Sequence, residues 1–125
     1  MKVFTLEEAN QLLPVISREL ETLENIQYLF EKDYEEFQGM QLYLTEDDAE
    51  YWEEHFRVME MQAEHCIHNI LSFGVLFEDL EAAVIRFPAI FNGKEGFFRW
   101  TPDEPTVMSY LENSKETEEC VSLIN

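Results

Sequence analysis

The sequence predicts an α+β fold: a long, coiled-coil-like antiparallel helical hairpin followed by a small three- to four-stranded antiparallel β-meander. Three observations carry the prediction. Two apolar seams repeat at heptad spacing, Ile16, Leu20, Leu23, Gln27, Phe30, Tyr34 and Phe37, then Trp52, Phe56, Met59, Ala63, Cys66, Ile70 and Phe73. At Gly74 the apolar period shortens to that of a strand. Asn92-Gly93 then supplies a strong hairpin signal, because a type I′ turn needs positive φ at both central residues.

The first helix opens with Thr5-Leu6-Glu7-Glu8, a capping box in which Thr5 and Glu8 satisfy each other's amides, with Phe4 placed to staple on Ala9. Pro14 lacks an amide proton and restrains Leu13, which predicts a kink or restart there within a helix spanning 4–39. Gly39 stands where a left-handed cap ends a helix. The connection Met40-Gln41-Leu42-Tyr43-Leu44 is unusually apolar, so Leu42, Tyr43 or Leu44 is expected to pack over the helix ends or against a partner. Thr45 caps a second long helix over 45–73, with Glu46, Asp47 and Asp48 in the first turn where the dipole favours them. The seam-bearing part of each helix, taken from Pro14 in the first, would run ~35–40 Å at about 1.5 Å per residue.

Val75 to Glu78, Ala83 to Phe87 and Phe97 to Trp100 read as the strands of a meander over 74–100. A two-residue turn at Asn92-Gly93 sets Phe91 against Lys94, Phe87 against Phe98 and Arg86 against Arg99. Ile85, Phe87, Phe98 and Trp100 then share the face that packs on the helices, and Pro88 requires a bulge or an edge. Residues 101–125 read as an extended arm, with a fourth strand near Pro105 to Leu111, and an acidic tail; the whole chain reads as one domain.

The chain has 125 residues, 46% of them apolar, and a formal charge of −19, which disfavours nucleic acid and anionic membrane surfaces. No stretch has the length of a membrane span, and the N-terminus lacks a secretory pattern, so the expected setting is cytoplasmic. Cys66 and Cys120 form no C-x-x-C pair and read as reduced thiols, Cys66 as a small buried hydrophobe.

The opposed Arg86 and Arg99 demand a negative partner, and Glu78 on the preceding strand or Glu95 on the same face answers that demand. The same outer face carries Ile90 and Phe97, a half-apolar surface that predicts self-association. Arg86, Ile90, Phe97, Arg99, Leu42 and Tyr43 are therefore the candidate interaction residues of a non-catalytic assembly module, expected to be a homodimer, with a basic protein as the favoured heterologous partner. No nucleophile motif, phosphate loop or dinucleotide fingerprint is present, so no catalytic residue is named and no cofactor is expected. The competing reading is a divalent-metal protein or metal-dependent enzyme using Glu60, Glu64, His65 and His68, since Glu60, Glu64 and His68 share one helix face. It lacks the Glu-x-x-His spacing of dimetal bundles.

The opening Phe4-Thr5, Glu8-Ala9-Asn10 and Leu12-Leu13-Pro14, with Gly74-Val75, Asp79, Phe87-Pro88-Ala89, Gly93, Trp100, Glu104-Pro105 and Val107, resembles a bacterial family catalogued as domain of unknown function 2203. The resemblance implies the same architecture and a bacterial cytoplasmic origin, and it brings no activity with it. Family members continue after Glu-Pro-x-Val with an aromatic residue, a His-Asp pair and an end containing glycine and arginine. Here Tyr110, Leu111 and Glu112 stand instead, so the resemblance carries no histidine site to this end.

Overall fold

The computed structural model describes residues 2–112 and 119–123, with the backbone alone for Glu119–Ser122. Two long helices, α1 (Leu6–Met40) and α2 (Glu46–Leu71), are joined by a single 3-10 turn at Gln41–Tyr43. Strands β1 (Leu76–Asp79), β2 (Val84–Phe91), β3 (Lys94–Trp100), β4 (Ser109–Glu112) and β5 (Glu119–Ser122) then form one antiparallel sheet in sequence order. The fold is α+β, with one strand more than the sequence predicts. β5 falls in a stretch too acidic and too weakly alternating to announce a strand.

The chain divides into two compact units: residues 1–18 with 70–125, and residues 19–69. In the first, which holds the sheet, the capping box forms as expected: Glu8 Oε1 accepts from the Thr5 amide at 3.0 Å and Thr5 Oγ1 accepts from the Glu8 amide at 3.1 Å. Of the kink or restart expected at Pro14, the restart does not occur, since α1 runs through it. Proline costs about 3 kcal/mol inside a helix. Here its ring lies on the solvent side while Ala9, Leu13 and Ile16 are buried, and that burial holds the turn together.

Phe4 sits against the edge of β2: its amide donates to the Pro88 carbonyl at 2.7 Å, and its ring meets Phe87 edge-on at 5.4 Å. Pro88 needs no bulge in the β2–β3 ladder, where it pairs with Phe97. Its nitrogen points the same way as that carbonyl, beyond the last β1 pair at Leu76 and Arg86, so no ladder donor is lost. Asn92 and Gly93 adopt φ of 54° and 76°, and the expected register follows, Phe91 with Lys94 through Arg86 with Arg99. Ile85, Phe87, Phe98 and Trp100 are all buried on one face. Asn10 ties α1 to the segment after β3, its Oδ1 accepting from the Val107 amide at 2.8 Å. A turn at Thr101 to Glu104 follows β3, closed by the Glu104 amide donating to the Thr101 carbonyl at 3.0 Å.

In the second unit, a second capping box joins Thr45 and Asp48 at 3.1 and 3.2 Å. The left-handed cap expected at Gly39 is not used: the helix continues to Met40, and the glycines with positive φ among the described residues are Gly74 and Gly93. Facing rings run in opposite directions along the two helices, Phe37 on Trp52 at 5.9 Å and Phe30 on Phe56 at 5.1 Å. No helix among the described residues is long and apolar enough to cross a membrane.

Candidate functional site: the outer face of the sheet

The opposed arginines converge on one carboxylate. The β1–β2 register skips a residue between Phe77 and Asp79, and the residue left over in that bulge is Glu78. Its Oε1 accepts from Arg86 Nε at 2.9 Å, from Arg86 Nη2 and from Arg99 Nη2. Burial pushes the Glu78 carboxyl up, but the hydrogen bonds and positive charges of Arg99 and Arg86 outweigh that and hold it below its ordinary value. The Arg86 guanidinium also lies 3.8 Å from the centre of the Phe97 ring. The cluster locks three strands together. Glu78, one of the two partners the sequence offers, is the residue used.

Beside this cluster, a groove of about 370 Å³ opens on the same face, lined by Val3, Leu76, Arg86, Pro88, Ala89, Ile90, Glu95, Gly96 and Phe97. Phe97 is buried beneath Arg86, whereas Val3, Leu76 and Ile90 remain 45%, 53% and 54% exposed. Of the residues the sequence put forward on this face, Ile90 is thus offered to solvent, Phe97 is part of the interior, and the two arginines are engaged by Glu78. Leu76 and Val3 complete the apolar rim.

The family model described as an uncharacterized conserved protein, DUF2203, matches residues 2–119. The chain belongs to the DUF2203 family. No curated protein and no solved structure matches it. Membership in DUF2203 assigns no specific function, so the chemistry of this DUF2203 chain rests on its own side chains.

The remaining candidates lie in the helical unit. Leu42 and Tyr43 do not pack back over the helix ends: they are 94% and 84% exposed. Glu60, Glu64, His65 and His68 are all exposed on α2, and among the described residues no three or more His, Cys, Asp or Glu side chains gather to hold a metal ion. Cys66 is buried, and burial followed by the charge of Glu19 pushes its thiol up, which keeps it protonated and unreactive. The side chain of Cys120 lies outside the described residues.

One feature of this DUF2203 chain that the sequence reading missed is His55. Its Nε2 lies 2.7 Å from Asp33 Oδ2 on the facing helix, and its ring stacks on Tyr51 at 6.3 Å. The signal was present: counted outward from the connection, Asp33 and His55 stand at similar distances, as Phe37 and Trp52 do.

Proposed function

We propose that this DUF2203 protein is a small non-catalytic assembly module that acts as a homodimer, each copy presenting the groove on the outer face of its sheet to the other. The observation that carries this reading is the exposed apolar rim of Val3, Leu76 and Ile90 around that groove. Charge favours a second copy there rather than along the helices. The unit of residues 1–18 and 70–125 holds twelve acids and six basic residues, a net −6, whereas residues 19–69 hold fifteen acids and two, a net −13. Two copies repel each other least through the sheet unit, and a two-fold axis lets one patch serve both partners.

The two long helices then form an antiparallel, coiled-coil-like hairpin that each protomer displays, a reading supported by the opposed order of the Phe37–Trp52 and Phe30–Phe56 contacts. The fitting location is the bacterial cytoplasm that the family resemblance implies, where Cys66 stays a thiol. Sedimentation velocity tests the interface. Ile90→Glu combined with Leu76→Glu is expected to convert a dimer to a monomer with an unchanged circular dichroism spectrum, while Leu42→Ser with Tyr43→Ser leaves the dimer intact. A charged-groove variant that remains dimeric removes the sheet face from the account.

A further inference from the structure

A second groove, of about 490 Å³, lies in the helical unit and is lined by Phe37, Ala49, Glu53, Phe56, Arg57 and Glu60. On α2, Ala49, Glu53, Phe56 and Glu60 follow one another at spacings of four, three and four, so they share one face. Phe37 and Phe56 contact each other at 5.7 Å edge to face and are held by Trp52, 5.9 Å from Phe37 and 5.7 Å from Phe56. Both phenylalanines stay half-exposed. The groove therefore has an aromatic floor open to solvent. Its two carboxylates, Glu53 and Glu60, form no ion pair among the described residues, and Arg57 is turned to Glu54 at 3.0 Å.

We infer that this groove is a docking site for a basic amphipathic segment of a partner protein, with apolar side chains on the Phe37–Phe56 floor and lysine or arginine heads between Glu53 and Glu60. Charge complementarity selects that occupant. A second copy would bring another unit at −13 onto this surface, and nucleic acid or an anionic bilayer would bring phosphate; a cationic segment alone gains from both the carboxylates and the negative faces of the rings. The amphipathic form follows from the lining, since a purely charged chain would leave the aromatic floor in water.

The test is fluorescence anisotropy with the full chain and a labelled synthetic helix of leucine on one face and lysine on the other. Binding to the wild-type protein is expected, weakening with salt. Glu53→Gln with Glu60→Gln should weaken it by about tenfold or more, a difference of roughly 1.4 kcal/mol. Ala49→Trp, which fills the groove from an exposed helical position without altering charge, should abolish it. As a control, Glu21→Gln with Glu24→Gln removes two exposed acids from α1, about 20 Å or more along that helix from Phe37, and should leave binding within about twofold. No binding to the wild-type chain, equal losses in the two charge pairs, or full binding to Ala49→Trp would each overturn the assignment. None of these outcomes depends on the sheet-face dimer, whose state is read separately by sedimentation.

Discussion

Gly96→Ala is expected to be the most damaging single-methyl change in this protein. A Cβ at that position would stand 2.2 Å from the Leu111 carbonyl oxygen and 2.6 Å from the Tyr110 hydroxyl. The carbonyl belongs to strand β4, paired to β3 through Gly96–Glu112 and Phe97–Leu111, so it has no room to yield without opening the ladder. The tyrosine is fixed as well: its hydroxyl donates to the Lys94 carbonyl at 2.6 Å, and its ring packs on Phe91 and Phe98. The aromatic ring thus lies over the bare glycine, and the two are mutually required. Overpacking typically costs about 1–3 kcal/mol, and collision with a paired backbone oxygen places this variant at or beyond the upper end. Gly39→Ala is the control with the opposite sign. Nothing lies within 4 Å of its added methyl and its φ is not positive, so replacing a helical glycine should gain about 0.5–1 kcal/mol. Urea unfolding that ranks Gly96→Ala within about 1 kcal/mol of wild type would contradict the close packing of β3 on β4.

Glu78→Gln is the second large effect. It keeps the shape and one acceptor but removes the charge that Arg86 and Arg99 share, leaving two guanidinium groups on directly paired residues. Removing one partner of a buried ion pair costs about 3–5 kcal/mol; because this cluster is only partly buried, about 2 kcal/mol is expected near neutral pH. The pH dependence has a definite sign. Since folding depresses the Glu78 pKa, its stabilisation is complete above the ordinary carboxyl value of 4.5 and is lost as the pH falls through the lower folded value. The wild-type advantage over Glu78→Gln should therefore be flat at neutral pH and shrink on acidification below about 4.5. An advantage that grows in acid would contradict the role given to this carboxylate.

Glu78 also shows how far the sequence could be read. The Asn92-Gly93 turn fixed the register, the register opposed Arg86 to Arg99, and two like charges face to face demand an acid on a neighbouring strand. The bulge that left Glu78 unpaired was not legible, because Leu76-Phe77-Glu78-Asp79 carries no glycine or other local mark of an extra residue. Pro14 was ambiguous for a different reason. The local rule offered a kink or a restart, and the burial of Ala9, Leu13 and Ile16 on the opposite side of the helix favours a helix that continues through it. The groove on the sheet was half visible: Ile90 was assigned to the outer face, but Val3 reaches it from a segment whose contact with β2 follows from the Phe4–Pro88 bond, a pairing distant in sequence. Phe97 was assigned to the correct face, though alternation alone could not reveal that Arg86 would cover it.

Native mass spectrometry of the untagged wild-type protein tests the assembly reading most directly. A species at twice the 14.9 kDa chain mass is expected, splitting into single chains when Leu76 and Ile90 are both replaced by glutamate. A wild-type protein that flies as a single chain across the accessible concentration range would contradict it.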